Sequence, residues 1–289
     1  MHFVDAKSIL SANNGMNLYR GCTHGCIYCD SRSKCYQMQH SFEDVEVKRN
    51  APQLLENALR RKKRRCMIVT GAMSDPYMHC ERELRLTRRC LEIIRQYGFG
   101  TAVQTKSDLV LRDLDLFRDI NRDAKAVVQM TLTTMDEELC SIVEPNVCTT
   151  QRRIEVLKTM RDAGIPTIVW IAPLLPWLND SMENLDGLLD ACRDAEVRGI
   201  VCFGMGLTLR DGNREHYFEA LDRHFPGLKE SYLQRYGLAY ELPCPNAKEL
   251  ETHFHRRCAQ MGILHTPEDC FAYIGQLDPP WEQMTLELP

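Results

Sequence analysis

The sequence lacks the features of a membrane protein, a disulfide-built secreted scaffold or a strongly basic nucleic-acid coat. No apolar run approaches the ~20 residues that a bilayer-spanning helix needs. A net charge of −4 gives no general pull toward polyanions, although a local basic patch stays possible. The first ten residues mix apolar and charged side chains, Asp5 and Lys7 among them, and do not read as a signal peptide. There is no low-complexity linker and no internal repeat beyond a strand–helix unit. What remains is ordinary for a globular protein: 289 residues, enough for one large or two small domains, with 44% hydrophobic content. Cysteine is the exception, at 14 residues. Without a secretory signal these read as thiols in a reducing compartment, so the expected location is cytoplasmic.

Three of the cysteines stand in one stretch, Gly21-Cys22-Thr23-His24-Gly25-Cys26-Ile27-Tyr28-Cys29-Asp30. Their spacing is C-x3-C-x2-C, with an aromatic residue just before the last. Fourteen cysteines scattered at random would give this spacing in roughly 3% of such chains, so it signals metal binding. Thiolates this close can point at one centre, as in iron–sulfur and zinc sites. Gly21 and Gly25 each precede a ligand candidate and reach backbone angles closed to other residues. A [4Fe–4S] cluster usually takes four cysteines. Three protein ligands would leave one iron open, and an open metal position is where chemistry occurs. Two other readings stand beside this one: a zinc site completed by His24 or Cys35, and three thiols that merely pack.

The rest of the chain alternates strand and helix. Expected strands are 16–20, 66–70, 101–105, 126–132, 167–172 and 199–203. Expected helices between them are 51–65, 81–97, 114–121, 151–163 and a helix capped by Ser181 that runs to about Val197. Residues 1–14 read as irregular, and 206–212 as a loop. Helices follow at 214–225, 229–236 and 246–261, then an extended tail from Gln276. Such alternation means parallel strands with right-handed crossovers. The predicted fold is α/β, a partial (β/α)6 TIM-like barrel with a helical C-terminal cap. Loops after the strands carry chemistry in such folds. The cysteine loop and segments 71–77, 104–108, 131–136 and 172–180 should share one rim. The first helix ends in Arg60-Arg61-Lys62-Lys63-Arg64-Arg65, which could touch phosphates. More often such a run is a solvated helix end that suits the negative dipole terminus.

The cysteine motif with Tyr28 resembles that of the radical S-adenosylmethionine (SAM) enzymes. Further motifs recur in order in one branch of them, the spore photoproduct lyase-like or DNA repair photolyase-like group. They are Asn17-Leu18-Tyr19-Arg20-Gly21-Cys22, Ser74-Asp75-Pro76-Tyr77 with Glu81, Thr87-Arg88-Arg89, Thr105-Lys106-Ser107, Arg112-Asp113, Thr133-Thr134-Met135-Asp136, Glu144-Pro145, and Ala172-Pro173 to Asn179-Asp180. The match covers roughly residues 13–205. It implies a [4Fe–4S] cluster on Cys22, Cys26 and Cys29 whose open iron binds SAM, with Tyr28 near the adenine. One electron would cleave SAM to methionine and a 5′-deoxyadenosyl radical that abstracts hydrogen from substrate. By resemblance Ser74 lies near the amino-acid end of SAM and Lys106 pairs with its carboxylate, while Thr131 or Thr133 offers a hydroxyl to the ribose. An external donor such as a flavodoxin or ferredoxin would supply the electron. Residues 1–205 would form the radical SAM core and 206–289 an extension packed on it.

One departure matters. Spore photoproduct lyase proper has a cysteine two residues before the serine, which returns hydrogen to the product radical. Here Ala72 stands at that position, and alanine has no labile hydrogen. Cys35 and Cys80, in segments near the expected rim, are the candidate hydrogen donors. The substrate class, whether small molecule, protein or nucleic acid, stays open, and lesion repair is one alternative. A non-enzymatic zinc or iron–sulfur module, binding a partner or transferring electrons, is another. Cys244, Cys258 and Cys270, with His253, His255 and His265, form a second Cys/His-rich region that matches no zinc or ferredoxin spacing.

Overall fold

The computed structural model describes residues 1–277. Its centre is a six-stranded parallel sheet in chain order: Gly15–Met16, Met67–Thr70, Gly100–Thr105, Ala126–Thr131, Thr167–Trp170 and Gly199–Val201. Side chains alternate across a strand, and the two faces find different partners. Ile68, Val103, Val128, Met130 and Val169 join the large core under the outer helices. Met67, Ala102, Val127, Ile168 and Val201 point to the other face and are closed by Cys270 and Ile274 of the helix Pro267–Gly275. All six residues of Ala126–Thr131 are therefore buried, as expected of a covered parallel strand. This is the expected α/β partial barrel.

Several local expectations are corrected. Residues 16–20 do not form one strand: Gly15–Met16 pairs with Met67–Thr70, while Tyr19–Arg20 turns into a side sheet with Glu46–Lys48. His2–Val4, in a segment expected to be irregular, adds to that sheet in parallel. The first helix ends at Arg61, and residues 60–65 are exposed. The helix expected over 81–97 is two, Glu81–Leu84 and Leu86–Gln96, because Arg85 adopts a left-handed backbone (φ 48°). The Glu81 carboxylate accepts hydrogen bonds from the Leu86 and Thr87 amides, which starts the second helix anew. Residues 206–212 contain the strand Gly206–Thr208, which pairs antiparallel with Glu241–Pro243. Helices Glu137–Val143 and Pro267–Gly275 were not anticipated. Asp278-Pro279-Pro280 of the expected extended tail lies outside the described residues.

Candidate active site

The cysteine loop is held from three sides. Gly21 has φ 88°, and a Cβ there would collide with the Phe42 carbonyl, which accepts the Cys22 amide at 3.0 Å. Farther along, the Ile27 amide donates to the Val143 carbonyl (3.0 Å), and Asn146 donates to the Thr23 and His24 carbonyls. Cys22 and Cys26 are buried, and Cys29 is partly exposed. Burial pushes the Cys22 thiol up to about 12, and the Cys26 thiol is raised for the same reason. Thiols so placed are protonated until a metal takes the place of the proton.

The loop faces the sheet across a cleft of 110 Å³. All three cysteines line it, together with Tyr28, Ser74, Lys106 and Thr131. Gly71, at the exit of Met67–Thr70, has φ 105° and packs where a Cβ would strike the Gln104 carbonyl, so two strand ends approach closely here. Asp75 fixes the next strand end: its carboxylate accepts from the Tyr77 and Lys106 amides and from the Thr105 hydroxyl, at 2.7–2.8 Å. The Lys106 ammonium lies 5.8 Å from the Tyr28 ring centre. Burial presses its pKa down, but Cys26, Glu144, Cys29 and Asp75 outweigh that and raise it, so it stays charged at neutral pH. A second cavity of 470 Å³ adjoins the cleft and shares Tyr28, Cys29, Ser31, Ala72 and Lys106 with it. Its far wall includes Trp170, Phe203 and the strand pair Gly206–Thr208 and Glu241–Pro243.

The profile of the radical SAM superfamily matches residues 16–189. The chain belongs to the radical SAM superfamily. It is similar to an uncharacterised protein of Mycobacterium tuberculosis (strain ATCC 25618 / H37Rv), 32% identical over 246 residues, covering 81% of this chain and 70% of that one. An uncharacterised protein of Methanocaldococcus jannaschii is 33% identical over 61% of this chain and 66% of that one. Among solved structures, a spore photoproduct lyase variant superposes with TM-score 0.65 at 16% identity, covering 91% of this chain and 80% of that one. Streptococcus suis SuiB bound to precursor peptide SuiA gives 0.51 at 14% identity, over 91% and 49%. At these identities the structures speak to the fold alone. Membership implies SAM and an iron–sulfur cluster.

The residues of this radical SAM protein fit both groups. Ser74 Oγ, on the cleft wall, is buried without a hydrogen-bond partner among the described residues, and His24 Nδ1 there faces the Asp75 carboxylate at 3.4 Å. Unmet polar atoms facing a cleft are suited to a polar ligand. Three thiols lining one cleft also suit a cluster that takes three protein ligands.

Beneath Tyr28 lies a network that sequence reading missed. The Tyr28 hydroxyl donates to Glu144, and Arg153 donates to Glu144 at 2.6 Å, to the Thr131 carbonyl at 2.8 Å and to Cys140 Sγ at 3.0 Å. Glu144 and Arg153 are both buried. Burial would raise the Glu144 carboxyl, but the Arg153 and Lys106 charges and the Tyr28 hydroxyl hold it below its ordinary value. One ion pair thus ties the cysteine loop to the Thr131 strand end. Glu144 had a signal, the Glu144-Pro145 motif. Arg153 had none, since an arginine on a helix usually faces water.

Other motif residues support rather than line the cleft. Glu81, Arg112, Asp113, Arg88 and the Tyr19 and Tyr77 hydroxyls form a second network behind segment 71–77. Thr133, one of two hydroxyl candidates, lines neither cavity; its carbonyl accepts from Asn179 and Asn184. Cys35 and Cys80 line neither cavity either. Cys35 is exposed and lies 3.7 Å from Arg210, which also contacts Asp30. Cys80 precedes the helix Glu81–Leu84, and burial pushes its thiol up to about 11. Cys244 and Cys258 pack in the main core, and Cys270 in the cluster under the sheet. No helix among the described residues is long and apolar enough to cross a membrane.

Proposed function

We propose that this chain is a radical SAM enzyme with one [4Fe–4S] cluster on Cys22, Cys26 and Cys29, acting on a substrate in the 470 Å³ cavity. The carrying observation is one cleft that gathers the three cysteines, the charged Lys106 and the unpartnered Ser74 hydroxyl. When bound and reduced by an external flavodoxin or ferredoxin, the cluster supplies the electron that cleaves SAM to methionine and a 5′-deoxyadenosyl radical. The chain's own residues position and shield. Lys106 offers its ammonium to the SAM carboxylate, Ser74 a hydroxyl to the amino-acid end and Thr131 a hydroxyl to the ribose. Tyr28, tied through Glu144 and Arg153, walls the adenine side.

Residues 1–205 serve as the core, and residues 206–289 as an extension whose strands wall the substrate cavity. Ala72 lines both cavities, where the lyase branch would need a thiol, which argues against thymine-dimer repair as the reaction. A fully free set of cysteines fits a reducing cytoplasm.

Anaerobic reconstitution, reduction and addition of SAM should yield 5′-deoxyadenosine, read by chromatography. A colourless protein that holds zinc and leaves SAM intact would overturn the enzyme reading in favour of a zinc module. Lys106→Met should keep its iron and sulfide. Its SAM dissociation constant, measured by equilibrium dialysis, should rise roughly 10–150-fold, the equivalent of the ~1.5–3 kcal/mol carried by a hydrogen bond to a charged group. An unchanged constant would remove Lys106 from the SAM site.

A further inference from the structure

We infer that His2, His40 and Asp44 form a binding site for a divalent transition-metal ion, separate from the cysteine cleft. These residues come from two segments brought together by the side sheet. His2 begins the strand His2–Val4, and its parallel pairing with Glu46–Lys48 sets it beside the preceding segment. One ligand atom from each of the three lies within 4.8 Å of the other two. His2 Nδ1 and Asp44 Oδ2 are 3.0 Å apart. Neighbouring ligands held at about 2.1 Å on one ion stand roughly 3.0–3.4 Å apart. The His2 and His40 rings meet edge to face, with centroids at 4.8 Å.

His40 carries the second observation. Its Nδ1 lies 2.9 Å from the Ser41 carbonyl, which can only accept, so the proton sits on Nδ1. In the neutral ring Nε2 then carries the lone pair. It is buried and makes no hydrogen bond among the described residues. Glu46 Oε2 lies 3.8 Å away, too far for a hydrogen bond. A histidine whose far nitrogen is fixed by a carbonyl, with the near one free, is the arrangement metal ligands adopt. The Met1 amino group pairs with Asp44 Oδ1 at 3.1 Å, while Oδ2 faces His2.

Two imidazoles and one carboxylate select zinc and its borderline neighbours over calcium or magnesium. Bound there, the ion would tie the amino-terminal strand to segment 40–44, which includes Phe42, whose carbonyl receives the Cys22 amide. The site would thus brace the support of the cysteine loop from outside.

The test uses the full chain without a histidine tag, its cluster reconstituted so that the cysteine loop is filled. Equilibrium dialysis against Zn²⁺ should find one site. His40→Ala and His2→Ala should each weaken it more than 10-fold, and Asp44→Asn should weaken it as well. Cys35→Ser, which removes an exposed thiol, should leave it unchanged. Zn²⁺ should raise the thermal midpoint of the parent and not of His40→Ala. The histidine variants should match the parent in iron content and in midpoint without zinc. Absence of stoichiometric zinc, or zinc binding that survives both histidine variants, would overturn the assignment.

Discussion

Cys26→Ala should abolish SAM cleavage. Cys26 is the middle ligand of the proposed set, and Lys106 and Glu144 exert their charges on it directly. Removing groups that merely orient a metal ligand costs 10–100-fold in affinity or activity, so losing a ligand itself should lower 5′-deoxyadenosine formation by more than about 100-fold. Iron content should fall with it, because two thiolates remain where three are needed. Cys35→Ala and Cys80→Ala are the discriminating controls. Neither residue lines the cleft, so both variants should retain the cluster and the uncoupled cleavage of SAM. If one of them instead loses turnover of a substrate while still cleaving SAM, that thiol is the hydrogen donor. Retention of brown colour and full product by Cys26→Ala would end the three-cysteine assignment.

The parts of this protein legible in its sequence are those governed by local rules. The cysteine loop was readable because its ligands fall within eight consecutive residues, with glycines at positive φ. The central strands were readable because parallel strands covered on both faces become continuous apolar runs, as in Ala126–Thr131. What was hidden depends on specific side-chain captures and strand pairings that periodicity does not announce. Arg85 breaks a helix whose periodicity is unbroken, because the Glu81 carboxylate captures the next two amides and over-rides propensity. The short strands His2–Val4 and Gly206–Thr208 exist only by pairing with segments more than 30 residues away, and three residues carry too little pattern to announce that. Helix Glu137–Val143 is two turns long, and its Asp136 cap was visible only as part of a motif. At the site, Thr131 and Thr133 have the same spacing on paper. Only the fold sets the first in the cleft and leaves the second outside it, with its carbonyl bound by Asn179 and Asn184 and its hydroxyl buried without a hydrogen bond among the described residues.

Arg153→Leu should be among the most destabilising single changes in the chain. The parent pairs a buried guanidinium with a buried carboxylate, and neither has water to fall back on. Breaking such a pair from one side leaves an uncompensated charge and typically costs about 3–5 kcal/mol. That is a large part of the ~5–15 kcal/mol that holds a domain folded. On thermal denaturation it corresponds to a drop on the order of 10 °C. The sign with pH follows from Glu144. In the parent its carboxyl is held low, so its stabilisation is present above the ordinary carboxylate range and is lost as pH falls through the depressed value. Without Arg153 the largest lowering influence disappears and burial pushes the same carboxyl upward. The variant should therefore be weakest near neutral pH, and its deficit relative to the parent should shrink on acidification, as protonation neutralises Glu144. A Glu144→Gln partner change should recover part of the loss, because a neutral amide can still accept from Tyr28 and leaves no buried charge. The same ion pair orients Tyr28, so the double variant should bind SAM more weakly than the parent even where its fold is restored. A loss below about 1 kcal/mol in Arg153→Leu, the range of an exposed pair, would show that the guanidinium reaches water and that Tyr28 is held by something else.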